Sequence, residues 1–266
     1  MDFLSNTQTG IVVNTDGTVG NRRVAAGSVA PSGADGTDVW FDTSGSLDWN
    51  RSQLVAACDF LTPTAGSMAP FLGAAVSAGT LAAANAGAVT KDRPGVVKLR
   101  CGTTANGGYK IQTDPVSLLL GGGEQFDAVW SVVTLTALTM RLGLHDSVTS
   151  ADAVDGVYFE IAAGGALVAK SSNNSTRTTA GTSFTVVAGT WYRSRVSLNA
   201  AGTAVSFKVW DLATQTIVYQ PADITTNIPT ASGREVGAGI VATNSGTTAT
   251  DLVHLDYMAL SRQLAR

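Results

Sequence analysis

The segment Trp191-Tyr192-Arg193-Ser194-Arg195-Val196-Ser197-Leu198 decides the fold class. In an extended strand, successive side chains point to opposite sides. Tyr192, Val196 and Leu198 then share one side, and Trp191, Arg193, Arg195 and Ser197 share the other. A turn, Asn199-Ala200-Ala201-Gly202, follows. After it comes a second alternating run, with Val205, Phe207 and Val209 opposed to Ser206, Lys208 and Trp210. Two such runs around a Gly-containing turn read as antiparallel strands with one dry face and one wet face.

The same pattern recurs on both sides of this hairpin. Met140, Leu142 and Leu144 oppose Arg141 and His145, and Val157, Phe159 and Ile161 oppose Tyr158 and Glu160. Near the C-terminus, Val253, Leu255 and Tyr257 oppose His254 and Asp256. Strands are expected over 94–101, 107–112, 126–137, 139–145, 156–162, 166–170, 183–187, 190–198, 203–210, 214–219, 234–243 and 250–260. Turn residues separate them, among them Asn106-Gly107-Gly108, Gly121-Gly122-Gly123 and Gly164-Gly165. Many short strands at this spacing indicate a sandwich or barrel. No helical periodicity persists. Only the Ala-rich stretch 74–88 competes for helix, and Gly73, Gly79 and Gly87 weaken it.

Residues 1–54 differ from the rest. Short apolar pieces, Ile11-Val12-Val13 and Val39-Trp40-Phe41, stand between turn-rich stretches. They bury too little apolar surface to fold alone. The expectation is an N-terminal arm over 1–54 that orders against another chain or surface, or packs as small β-turns on a main domain over 55–266.

Composition agrees and excludes several classes. Of 266 residues, 14% are charged, and there are 17 Asp against 3 Glu and 12 Arg against 5 Lys. Thr (33) and Gly (29) are abundant. Scarce Glu and Lys argue against exposed helices, while Thr, Val and Gly suit strands and turns. A net charge of −3 argues against a nucleic-acid-binding face, which needs cations to neutralise phosphates. The N-terminal MDFLSNTQTG has neither a basic nor an apolar region, so no secretory leader is expected. The longest uncharged run, between Asp59 and Lys91, is rich in Ala, Gly, Ser and Thr and carries two prolines. That content does not suit a spanning helix, so no membrane insertion is expected. Cys58 and Cys101 allow two buried thiols or one disulfide.

Catalytic constellations are sparse. Jelly-roll glycosidases place acids on one strand face in the pattern E-x-D-x-x-E, and a retaining pair stands ~5–5.5 Å apart. Glu124, Glu160 and Glu235 each lack an Asp two residues later. A Ser-His-Asp arrangement has only His145 or His254 to draw on, with no G-x-S-x-G elbow. Asp35 with Asp38, or Asp152 with Asp155, supply carboxylate pairs in turns, where solvated acids are the plainer reading than calcium. The expectation is no enzyme, no cofactor and no metal. The wet-face residues Arg141, Tyr158, Glu160, Trp191, Arg193, Arg195, Lys208 and Trp210 are the candidate ligand-binding set. Indoles stack on sugar rings, and guanidinium forks clamp hydroxyls and carboxylates. The same set also fits an ordinary outer sheet face or a subunit contact.

Several segments carry a family resemblance. Arg93-Pro94-Gly95-Val96-Val97-Lys98-Leu99 resembles the "HPGVVRL" strand of concanavalin A-like (laminin G-like) jelly-roll modules in tailed-phage virion proteins. Asp155–Glu160, Ala188–Arg193, Leu198–Thr203, Thr226–Thr230 and Leu255–Tyr257 match further segments of that module, in order, from about residue 57 to 262. Gly36-Thr37-Asp38-Val39-Trp40-Phe41-Asp42-Thr43 is similar to "GDxWFDT" segments of phage fibre and appendage proteins. The resemblance implies an all-β, two-sheet antiparallel jelly-roll sandwich behind an extended N-terminal arm. It implies a non-enzymatic virion structural protein, a tail fibre, head fibre or capsid decoration. Such proteins are often homotrimers, and some contact host-surface glycans. Here the arm would anchor to other virion proteins. A glycan depolymerase on the same fold and a free-standing carbohydrate-binding module are the alternatives.

Overall fold

The computed structural model describes residues 71–77, 79, 80, 91, 93, 95–247 and 250–262 with their side chains, and residues 11–13, 19–23, 37–42, 53–58, 81–83 and 263 as backbone. Among the described residues there are nineteen strands and no helix. Backbone alone defines β1 (Ile11–Val13), β2 (Val19–Arg23), β3 (Thr37–Asp42) and β4 (Gln53–Cys58). Next come β5 (Leu72–Val76), β6 (Thr80–Ala83), β7 (Val97–Arg100), β8 (Gly107–Gln112), β9 (Gln125–Val132) and β10 (Leu138–His145). The series continues with β11 (Gly156–Ile161), β12 (Ala166–Asn173), β13 (Thr176–Thr179), β14 (Phe184–Thr185) and β15 (Trp191–Leu198). It ends with β16 (Val205–Asp211), β17 (Thr216–Tyr219), β18 (Gly237–Asn244) and β19 (Asp251–Gln263).

These strands form two antiparallel sheets. The larger, of eleven strands, runs β1-β2-β3-β4-β19-β9-β15-β16-β17, with β7 also on β19 and β6 on β7. The smaller, of eight, runs β13-β12-β11-β10-β18-β8-β5, with β14 also on β12. The inner faces meet in one apolar core. Phe126, Ala128, Trp130 and Val132 of β9 alternate inward beside Tyr192, Val196 and Leu198 of β15 and Val205, Phe207 and Val209 of β16. From the other sheet come Met140, Leu142 and Leu144, then Val157, Phe159 and Ile161. Phe159 and Phe207 meet edge to face across the sheets at 5.2 Å between ring centres, the favoured geometry for an aromatic pair. Two polar side chains that reach into this core find partners there. Trp130 Nε1 donates to Ser194 Oγ at 3.0 Å, and the Tyr219 hydroxyl donates to the Thr182 carbonyl at 2.9 Å.

All twelve expected strands are present, several with shifted ends. The expected 126–137 strand stops at Val132, just before a last bond to β19 from the Val133 N–H to the Leu252 carbonyl. The start of the Ala-rich stretch forms β5 and β6 rather than helix, because pairing with β8 and β7 overrides local propensity. Tyr257 does not share a side with Val253 and Leu255. The register slips between Leu255 and Tyr257, so Asp256 is a bulge and Met258 and Leu260 take the inward places. A bulge inserts one residue and reverses the alternation beyond it.

The expected arm–domain boundary falls inside β4. This strand pairs with the C-terminal half of β19, and β3, β2 and β1 follow outward as a meander. Cys58 lies opposite Met258, whereas the Cys101 N–H bonds the Thr250 carbonyl. At ~3.3 Å per residue these places along β19 are roughly 20 Å apart, beyond disulfide reach. The two cysteines therefore do not bridge each other.

Phe207→Ala removes half of the cross-sheet aromatic pair. It should lower stability by about 3–5 kcal/mol, read as a lowered urea midpoint. An unchanged midpoint would contradict this packing.

Candidate functional site

The eight residues expected on one wet face are divided between two. Arg141, Tyr158 and Glu160 stand on the outer side of the eight-stranded sheet. Trp191, Arg193, Arg195, Lys208 and Trp210 stand on the outer side of the eleven-stranded sheet. The two groups face opposite directions. Alternation shows which residues share a side of a strand, but not which sheet the strand joins.

The first group is not wet. Residues 146–155 cross the outer side of the smaller sheet and bring Asp152 onto it. Asp152 takes Arg141 Nε at 3.0 Å, Arg177 Nε at 2.9 Å, Lys170 Nζ at 3.3 Å and the Tyr158 hydroxyl at 2.6 Å. Glu160 takes Arg141 Nη2 at 3.0 Å and Lys170 Nζ at 2.6 Å. Three cations and two carboxylates thus satisfy one another, and Tyr158 is fully buried. Burial alone would raise the Asp152 pKa. The Tyr158 hydroxyl, then Lys170 and Arg141, overcome this and hold the carboxyl well below the usual range. A glycosidase acid needs the reverse shift.

Beneath the same loop lies His145, fully buried. Gln112 Nε2 sits 3.3 Å from its Nδ1 and donates to its carbonyl at 2.5 Å. Burial, then the Arg141 charge, push the His145 pKa down to about 4. Gly143 makes the floor flat enough for the Tyr158 ring. Its φ is +149°, and a Cβ there would meet Val157 O at 2.7 Å and Tyr158 Cβ at 3.1 Å. Asp155 goes elsewhere, accepting from the Asn174 N–H at 2.7 Å and pairing with Arg234 at 3.4 Å. The carboxylates of Asp152 and Asp155 have separate sets of partners. The side chains of Asp35 and Asp38 lie outside the described residues. Among the described residues no group of three or more His, Cys, Asp or Glu is placed to hold a metal.

The second group is open. Cross-strand register sets its residues in rows. One row runs Ile217, Trp210, Arg193, Val129, Tyr257 across β17, β16, β15, β9 and β19. The next runs Lys208, Arg195, Asp127, Ala259, and a third runs Trp191, Ser131, His254, Lys98. Asp127 accepts from Arg193 Nε and Nη2 at 3.1 and 2.9 Å, and from Arg195 Nε at 3.0 Å. Both guanidinium groups approach the Trp210 ring, at 5.4 and 5.9 Å from its centre. Arg93 covers Trp191 at 4.7 Å, and His254 stacks against Trp191 at 6.4 Å. Burial first, then Lys98, lower the His254 pKa, opposed by Asp251. Arg93, Asp127, Ile217, Tyr257 and His254 were not in the candidate set. Alternation alone places Asp127 and His254 on the wet side of their strands, but only pairing sets them beside Trp210 and Trp191.

The charge-paired loop has a pH signature. Asp152, with its depressed pKa, contributes stability above its unfolded pKa of about 3.9, lost as pH falls through the folded value. His145, also depressed, contributes above about 6.5, lost down to about 4. Asp152→Asn should cost about 2 kcal/mol at pH 7 and flatten the stability profile below about pH 4. It should keep the earlier decline that belongs to His145. Urea midpoints across pH 3–8 read both windows; a parallel offset at every pH would refute the pairing.

Comparison with known proteins follows the fold. In protein SO2946, of unknown function, from Shewanella oneidensis MR-1, the solved structure superposes with a TM-score of 0.67 at 15% identity, covering 80% of this chain and 87% of that one. The CBM2 module of the evolved Dit of Lactobacillus casei BL23 phage J-1 gives 0.51 at 12% identity, covering 80% and 97%. The lectin-like defence protein arcelin-5 of Phaseolus vulgaris gives 0.52 at 8% identity, covering 82% and 100%. These likenesses show the lectin-like sandwich. No curated protein matches the chain. The sequence model of the "SO2946-like, C-terminal domain" family matches residues 92–256, more than half of the chain, and on that match the protein belongs to the SO2946-like family.

Proposed function

We propose that the protein is a non-enzymatic structural protein of a tailed-phage virion, a fibre or a capsid decoration, whose jelly roll faces outward and contacts host-surface glycan. One observation carries the glycan contact: the outer face of the larger sheet leaves two indoles, Trp191 and Trp210, part-exposed among guanidinium groups. Indole faces stack on sugar rings, and guanidinium donors reach hydroxyls. The virion reading is supported by the segments shared with phage appendage modules. It is supported also by the common fold with a phage-borne carbohydrate-binding module. The non-enzymatic reading is supported by the fate of the carboxylates. Asp152 and Glu160 are held by three cations, and Glu124 is buried against Arg262 and the N–H groups of Gly121 and Gly122.

The arm is assigned to assembly. Its β1–β3 meander adds strands outside β4 and leaves the β4–β19 pairing intact. The full-length protein is a homotrimer in this reading.

Screening the full-length protein on host polysaccharides should find a binder, and Trp210→Ala should weaken that binding at least tenfold without unfolding. No binding, with phage adsorption unchanged in the variant, would remove the glycan contact. Light scattering should give a trimer mass for the full chain. Deletion of 1–50 should leave a folded, soluble jelly roll that no longer assembles. A deletion that unfolds the domain would refute this division of labour.

A further inference from the structure

We infer that the face around Trp210 takes an acidic sugar, with the ligand carboxylate bound between Arg195 and Lys208. This rests on the glycan reading above and narrows it to a ligand class. The observation is an imbalance of charge. Arg195 and Lys208 are direct cross-strand neighbours on the same face of β15 and β16, and Arg193 is two residues from Arg195. Like charges directly opposite each other destabilise a sheet. A single carboxylate, Asp127, stands against the three cations Arg193, Arg195 and Lys208 and pairs only the two arginines, whereas on the other face two carboxylates pair all three cations. Lys208 has no ion pair or hydrogen bond among the described residues. The Arg195 Nη1 and Nη2 atoms and Arg193 Nη1 have no hydrogen-bond partner among them either. The chain as a whole carries −3, so this cationic spot runs against its net charge.

The ligand's chemistry follows from what is already bound. Asp127 is 6% exposed and sits at the floor, where its planar carboxylate is gripped by guanidinium forks. Arg193 and Arg195 keep 43% and 32% of their side chains exposed. Their outward donors repeat the same recognition toward solvent, where a second carboxylate fits the Arg195 fork and the Lys208 ammonium offsets its charge. Beside it, Trp210 and the half-exposed Ile217 offer an apolar surface one row away for the face of the sugar ring. A hexuronic-acid residue has both parts, a ring face and a carboxylate at its edge.

The test uses full-length protein and three probes: an oligogalacturonide, the same oligomer with its carboxyls reduced to neutral alcohols, and dextran sulfate. Titration calorimetry should show the acidic oligomer binding at least tenfold tighter than the neutral one. That preference should shrink as ionic strength rises from about 0.05 to about 0.5 M. Lys208→Gln and Arg195→Gln should each lose about tenfold toward the acidic oligomer, a larger loss than either shows toward the neutral one. Lys110→Gln, on the other sheet, should change neither. Lys208→Gln should also raise the melting temperature by about 1–3 °C, because it relieves the like-charge pair; a fall would make Lys208 structural and overturn the inference. Equal binding of both oligomers, lost in Trp210→Ala, would overturn the acidic preference and leave the glycan reading standing. Binding of neither oligomer, with no polysaccharide binding in the screen, would remove both. Equal binding of dextran sulfate, indifferent to Trp210→Ala, would reduce the face to an ion exchanger and overturn the inference.

Discussion

The architecture hangs on the last strand. β19 lies inside the larger sheet, with β9 along one edge and β7 then β4 along the other. Its partners come from residues near 55, 98 and 128, so the chain must close long loops before the centre of the sheet exists. Such non-local pairing is slow to form because loop-closure entropy is met before the contacts repay it. The inward row of β19, Val253, Leu255, Met258 and Leu260, completes the core that Trp130 and Phe126 begin. The bulge at Asp256 lets one strand serve both halves of this edge: it turns Tyr257 outward and keeps Met258 in the core.

The two outer faces met different fates, although both began as polar sides of alternating strands. On the smaller sheet a loop closes over the surface, and a dense set of ion pairs holds it there. Buried ion pairs carry a desolvation penalty, offset only when each partner is satisfied, and here they are. On the larger sheet no loop among the described residues is paired down over Arg193, Arg195, Lys208 and Trp210, and only Trp191 is covered, by Arg93. Arg193 and Arg195 share one carboxylate there, and the indoles of Trp191 and Trp210 stay part-exposed. Saturation on one face and surplus on the other distinguish a structural network from a surface with donors to spare.

Much of this was legible in the residues. The strands of 94–260 announce themselves by period-two alternation and glycine punctuation, and the dry sides of β10, β11, β15 and β16 were assigned correctly. The aromatic–cationic character of Trp191, Arg193, Arg195, Lys208 and Trp210 was visible as well. The Ala-rich strands β5 and β6 were not, because alanine has little preference for strand and their state comes from pairing.

Local spacing determines what a strand presents on each side, because the backbone repeats every two residues whatever its surroundings. Strand spacing by itself therefore determined an all-β fold, a sandwich or a barrel, and most of the residues facing its core, and the family resemblance pointed to the sandwich. Tertiary structure alone decided that Arg141, Tyr158 and Glu160 belong to a covered face and Trp210 to an open one. It alone brought Asp127 between two arginines and set Lys208 against Arg195. These are matters of sheet order, cross-strand register and loop cover, which depend on partners distant in the chain and leave no periodic trace in it.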